Sequence, residues 1–289
     1  MMPTIIQLFV QGLTMGSIYS LVGLGFHIIY NGTRIINFAQ GEQVILGGVI
    51  ALSCVTALEL PLVFGFLLTI IIASMVSLFY ERIVIRPILR RSELATIISS
   101  IAVAIILQNA IAVIWGKDPL FFPPFTKGEP IKCLDAYINL QSIWIIGVTF
   151  ISFSGFEFLL NYTTLGKAIR ASANNPEAAR LVGISSFKMV SYSFIFSGGL
   201  ASIAGVIIAP ITFAGGPIGT MIAIKGFIGG ILGGISSSRS VFLGCIMLGI
   251  LEFFIAGFIS DGYRDAIAVF IFLIALLLKP EGLFIRGQG

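Results

Sequence analysis

Apolar runs follow one another along almost the whole chain, and no other property limits its fold as strongly. They cover roughly 5–29, 44–58, 62–80, 95–115, 142–160, 190–212, 218–235, 241–259 and 265–278. Charged residues make up only 10% of the 289 and hydrophobic ones 57%, at a mean hydropathy of +1.05. A soluble domain carries about 25% charged residues, so a soluble core cannot absorb this sequence. In hydrocarbon every backbone polar group needs a partner, which a helix supplies within one segment. The expected fold is all-α, a polytopic transmembrane helical bundle with about eight or nine membrane segments, some short or broken. One transmembrane domain over 1–289 accommodates them, with no soluble domain in view.

Two runs are weak. At 1.5 Å per residue, 44–58 reaches only about 22 Å, less than the ~30 Å hydrocarbon core. It borrows length from the polar segment before it or lies tilted. The glycine-rich 218–235 is equally open to being a partial helix. Residues 1–33 contain no Lys or Arg, so the basic start of a cleavable signal peptide is not expected.

Charge sets the orientation. Arg82, Arg86, Arg90 and Arg91 form one basic loop, broken by Pro87. Residues 161–188 form another. Basic loops mark the cytoplasmic side and do not argue for nucleic acid. Two spans and a long, charge-balanced loop at 116–141 separate them, so their parity agrees. The N-terminus is then outside and Arg239 inside.

The longest polar interruption is 161–184, NYTTLGKAIRASANNPEAARLVGI, with Lys167, Arg170 and Arg180 against one acid, Glu177. Its punctuation is that of two short helices. Thr164 can cap the first, over 165–172. Asn175 can cap the second, with Pro176 in its first position and Glu177 at the positive end of its dipole. Gly183 is placed to end it.

A second polar stretch, 31–43, holds Asn37, Gln40 and Glu42 between apolar runs. It is either an ordinary cytoplasmic loop or a broken helix lining a polar pathway, and the short run that follows favours the pathway. Glu252 lies mid-span, as either a functional carboxylate or one with a buried structural partner. Gly12/Gly16, Gly226/Gly230 and Gly230/Gly234 have the GxxxG spacing of close helix packing. Lys225 either snorkels or pairs with an acid, and Asp261, Arg264 and Asp265 read as a local ion-pair cap.

Catalytic chemistry finds little to use. His27 is the only histidine, and Cys54, Cys133 and Cys245 lack metal-ligand spacing. Gly166-Lys167 lacks the earlier glycine and the hydroxyl residue of a phosphate-binding P-loop. No catalytic residue, metal site or cofactor is therefore expected on this chain. A stand-alone secondary transporter would need intramembrane ionisable groups, for which Glu252, His27 and Glu42 are thin provision.

TLGKAIRA (164–171) with PEAARLVGI (176–184) resembles the cytoplasmic loop of ABC importer permeases for branched-chain amino acids. So do GLTMGSIYSLVGLGFHIIY (12–30), INFAQGE (36–42), LGGISSSRSVFLGCIMLGILE (232–252), YRDA (263–266) and KPEGLF (279–284), in order along nearly the whole chain. The resemblance implies a permease subunit of the bacterial inner membrane. It implies four partners: a homologous second permease, two ATP-binding subunits that carry ATP and Mg²⁺, and an extracytoplasmic binding protein. The loop within 161–188 would couple to the ATPase through Lys167, Arg170, Pro176, Glu177, Ala178, Ala179, Arg180 and Gly183. The substrate path would involve Asn37, Gln40, Glu42 and Glu252. One departure stands out: the family usually carries His where this chain has Gln40, which cannot titrate. Urea and short-amide permeases share much of the pattern and remain an alternative.

Overall fold

The computed structural model describes residues 2–89, 91–133, 136–216, 218–279 and 282–284. The side chains of Cys133 and Asp261 lie outside the described residues, as do Arg90 and residues 280–281 of the KPEGLF stretch. The chain is an all-α bundle. Its helices are α1 (Met2–Thr33), α2 (Gln40–Thr56), α3 (Leu62–Tyr80), α4 (Arg86–Ile88), α5 (Glu93–Trp115), α6 (Leu140–Tyr162), α7 (Thr164–Asn174), α8 (Pro176–Leu181), α9 (Ser186–Thr212), α10 (Ile218–Gly233), α11 (Ser238–Phe258) and α12 (Arg264–Leu278). A π turn, Glu81–Ile85, joins α3 to α4.

Six helical segments among the described residues are long and apolar enough to cross a membrane: Ile5–Thr33, Leu62–Ile88, Glu93–Trp115, Leu140–Tyr162, Ser186–Thr212 and Ser238–Phe258. The two weak runs do form helices. α2 has 17 residues and α10 has 16, about 26 and 24 Å of rise, so each stays shorter than the hydrocarbon core. α2 gains its length as expected, by taking in Gln40 to Gln43 from the polar segment.

α1 and α9 form the centre. α1 runs antiparallel to α11 at a distance that glycine sets. A Cβ on Gly12 would lie 2.7 Å from Ile250 Cα, and one on Gly16 would lie 2.8 Å from Ile246 Cα. Any larger residue at either position forces the backbones apart, and lipid offers no hydrophobic drive to restore the contact. Gly226 packs as closely on Val22 of α1. Gly230 has room, its Cβ position 3.8 Å from Val241. Gly234 lies just beyond α10 with φ 111°, where it turns the chain.

Three local expectations need correction. The basic segment 82–91 is mostly helix: the π turn and α4 extend α3 as far as Ile88, with Pro87 at the end of that extension. The long loop 116–141 contains an antiparallel hairpin, β1 (Ile131–Cys133) with β2 (Ala136–Ile138). The cap of α7 is Thr163, not Thr164; its Oγ1 accepts from Gly166 N at 3.2 Å. Of the cysteines, Cys54 and Cys245 are buried free thiols.

Candidate functional site

The polar stretch after α1 is a true break. Arg34 takes φ 60°, and the backbone stays irregular until Gln40 opens α2. Irregular backbone at membrane depth must be buried in protein or line a cavity, and here protein covers it. Asn37 Oδ1 accepts from Ala39 N at 3.2 Å, while its Nδ2 donates to the Tyr80 hydroxyl at 2.8 Å. Gln40 is fully buried. Its Oε1 accepts from Ser197 Oγ at 2.6 Å, and its Nε2 donates to the Ser197 carbonyl at 3.3 Å. This amide fits only because Gly25 lacks a side chain, since a Cβ there would lie 1.9 Å from Gln40 Nε2.

Glu42 faces another way. Its carboxylate accepts from Thr220 Oγ1 at 3.0 Å and lines a cavity of about 320 Å³. Ile45, Ile111 and Ala112 give that cavity aliphatic walls, and Gln108 and Asn109 of α5 bring two amides. Of the four expected path residues, only Glu42 lines it. Gln108 and Asn109 were missed, although a polar pair inside an apolar run was a visible signal.

Glu252 belongs to a separate cluster. It is 1% exposed, accepts from Tyr19 Oη at 2.9 Å and pairs with Lys225 and with Arg264 Nε, the latter at 3.1 Å. Lys225 Nζ also meets Asp265 at 2.7 Å. Arg264 and Asp265 pair with each other at 3.9 Å, as a local cap would, and also reach Glu252 on α11 and Lys225 on α10. Two cations and two carboxylates neutralise one another where α1, α10, α11 and α12 meet. A buried charge needs such company, because hydrocarbon and protein interior solvate it poorly. The single histidine is also held structurally, with Nδ1 2.7 Å from the Ile235 carbonyl.

At the opposite end of the bundle, α7 and α8 form the basic hairpin. Asn175 Oδ1 accepts from Glu177 N and Ala178 N at 3.1 and 2.9 Å, and Gly183 ends the turn at φ 82°. Lys167, Pro176, Glu177, Ala178 and Arg180 are exposed, and Ala179 is buried beneath them. Arg170 is instead a brace: its Nη1 donates to the Leu160 carbonyl at 2.7 Å and to Asn161 Oδ1 at 2.8 Å, tying α7 to the end of α6. The tip adds two apolar side chains, Leu181 at 90% and Val182 at 75% exposed. A polar cavity of about 410 Å³ lies behind, lined by His27, Glu157, Arg170, Ser237 and Arg239 among others. Its Arg239–Glu157 pair, at 2.5 Å, joins α11 to α6.

Comparison with known proteins bears on this arrangement. The family model described as branched-chain amino acid transport system, permease component, matches residues 8–276. The high-affinity branched-chain amino acid transport system permease protein LivH of Salmonella typhimurium is 30% identical over 298 residues, 98% of this chain and 96% of its own length. The corresponding protein BraD of Pseudomonas aeruginosa is 32% identical over 296 residues, with the same coverage. Among solved structures, PsaBC from Streptococcus pneumoniae in complex with Fab superposes with a TM-score of 0.50 at 17% identity, covering 95% of this chain and 91% of that one. That likeness extends to the fold alone.

Proposed function

This chain belongs to the family of branched-chain amino acid transport system permease components, and we propose that it is the membrane-spanning permease of an ATP-driven importer of branched-chain amino acids. It is a multi-pass protein of the bacterial cytoplasmic membrane and a transport subunit, not an enzyme. An extracytoplasmic binding protein delivers the substrate. Two ATP-binding subunits bind and hydrolyse ATP with Mg²⁺, and a homologous second permease completes the complex.

The observation that carries this reading is the α7–α8 hairpin. It is short, capped at both helix starts, basic, and tipped by Leu181 and Val182 in nearly full exposure. An exposed apolar pair next to Arg180, on a basic hairpin, suits a protein surface more than water or lipid. Closure of the ATP-binding subunits moves the hairpin, α9 moves with it, and the bundle alternates between outward and inward access.

The Glu42 cavity supports an amino acid over a neutral amide. A carboxylate suits an ammonium group, the Gln108 and Asn109 amides can donate to a carboxylate, and Ile45, Ile111 and Ala112 match a branched aliphatic side chain. Lys117 also lines the cavity, so a carboxylate finds a cation there as well, whereas urea or a short amide offers neither charge a counter-ion.

The test uses the whole importer, permeases, ATP-binding subunits and binding protein, in sealed proteoliposomes. Deleting 176–183, or substituting Arg180→Glu, is expected to abolish ATP-dependent uptake of leucine and valine while the chain still inserts. Normal uptake by the deletion variant would sink the reading. Uptake by this chain alone on an ion gradient would point instead to a secondary transporter.

A further inference from the structure

Glu81 carries a fully buried carboxylate where α3 changes its hydrogen-bonding pattern. In the π turn the Arg86 N–H donates to the Glu81 carbonyl, five residues back. The side chains span the same interval: Glu81 Oε1 accepts from Arg86 Nε at 3.0 Å, and Oε2 from Arg86 Nη2 at 3.1 Å. In an α-helix, residues five apart point about 140° away from each other. This ion pair therefore fits the π register and would be broken by a shift to the α register. π turns within helices are frequent at functional sites for this kind of reason.

The neighbouring contacts all lead to one face of α9. Ser191 Oγ donates to Glu81 Oε2 at 3.0 Å. The Arg86 guanidinium sits 5.6 Å from the Phe187 ring centre. Ser77 Oγ donates to the Phe194 carbonyl at 2.6 Å, and the Phe194 ring meets Tyr80 edge-on at 5.7 Å. Residues 187, 191 and 194 follow the i, i+4, i+7 spacing of a single helix face. Two contacts tie the start of α9 to the hairpin: Ser186 Oγ donates to the Pro176 carbonyl at 3.4 Å, and Ile184 N donates to the Ala179 carbonyl at 2.9 Å. On the far side, Tyr80 Oη accepts from Asn37, the residue that organises the break before α2.

We infer that the π turn Glu81–Ile85 is the joint that converts movement of the α7–α8 hairpin into movement of the Asn37 segment and, through it, of α2 and Glu42. Glu81, Tyr80 and Ser191 are its positioning residues; none of them touches substrate. The inference rests on the hairpin being the contact for the ATP-binding subunits. The contacts run without a gap from the hairpin to Asn37, and the π turn is the place along them where a register shift would break an ion pair.

The experiment measures uptake per ATP hydrolysed, together with the amount of assembled complex, in proteoliposomes holding the full importer. The variants are Tyr80→Phe and Ser191→Ala, each removing one hydroxyl, and Glu81→Gln. Each is expected to assemble and hydrolyse ATP while uptake per ATP falls on the order of tenfold. The Tyr80→Phe/Ser191→Ala double variant should fall no further than the worse single one, because the two residues act in series. Wild-type uptake per ATP overturns the joint. So does a loss of uptake that merely tracks a loss of assembled complex. If Glu81→Gln does not assemble, the two hydroxyl variants decide. The 176–183 deletion separates the failures. Intact uptake there removes the hairpin reading and this inference with it. Abolished uptake beside normal hydroxyl variants removes the joint alone.

Discussion

At the scale of single residues, the charges in this apolar chain divide by how their neighbours satisfy them. Glu42 keeps one hydroxyl partner and an open side, whereas Glu252 is enclosed by Tyr19, Lys225 and Arg264. Both are carboxylates in apolar sequence, and only their packing separates a cavity-facing group from an enclosed one. Replacing Glu252 with Leu leaves the cluster of two cations and two carboxylates with one uncompensated positive charge. Breaking a buried pair in this way costs about 3–5 kcal/mol. The Glu252→Leu/Lys225→Met double variant removes one charge of each sign and leaves Arg264 with Asp265, so it should recover most of the loss. Thermal unfolding of the detergent-purified chain measures both, and a double variant no more stable than Glu252→Leu would show that the cluster is not held by charge balance. The cluster was half legible in the sequence. A mid-span Glu and a Lys at the head of a glycine-rich run could be read as seeking partners, but Arg264 and Asp265, adjacent in sequence, looked sufficient to each other.

At the scale of elements, what the sequence displayed was whatever short-range physics decides. The cap of α8 was visible, and that of α7 to within one residue, because a cap is a bond between residues two or three apart. Asn175→Ala removes the acceptor for two N–H groups at the start of α8, a change of about 1 kcal/mol. In a six-residue helix that weight is enough to fray it. The expected result is a severalfold drop in ATP-dependent uptake with normal membrane insertion, and partial rescue by Asn175→Ser, whose hydroxyl can still cap. Equal uptake by Ala and Ser variants would mean that the cap does not hold the docking shape. The π turn was hidden for the converse reason. Arg82 and Arg86 looked like a solvated loop, and the groups that hold Glu81 and Arg86 in place, Ser191 and Phe187, come from α9. The strands of the 131–138 hairpin were likewise invisible, because three-residue strands leave no periodicity to detect.

At the scale of the whole molecule, long-range contacts sort the chain into two ends. Tyr137 N donates to Gln7 Oε1 at 2.9 Å, and Leu120 bridges Ala214, which gathers the start of α1, the 116–139 segment and the α9–α10 turn at one end. Arg34 Nη2 donates to Asn174 Oδ1 at 3.0 Å, and Arg239 pairs with Glu157, which gathers the break after α1, the basic hairpin and the α10–α11 turn at the other. The second end also holds Arg82, Arg86, Lys167, Arg170 and Arg180, so the positive-inside rule makes it cytoplasmic. Between the ends, the exposed α5 brings Gln108 and Asn109 to the Glu42 cavity, and aliphatic Ile106 lies about 160° around the helix from Gln108. An amide pair has no place in lipid, so the cavity side borders water and the opposite side borders lipid or protein. Single cysteines in a background without the native three test the whole arrangement with a charged, membrane-impermeant thiol reagent. Leu181→Cys should react only from the cytoplasmic side, and Glu129→Cys only from the outside. Gln108→Cys, at membrane depth, should also react from the outside and be protected by bound substrate, while Ile106→Cys at similar depth stays unreactive from both sides. Reaction of Ile106→Cys as fast as Gln108→Cys would remove the distinction between a water-filled path and the rest of the bundle surface, and with it the place of Glu42 on that path.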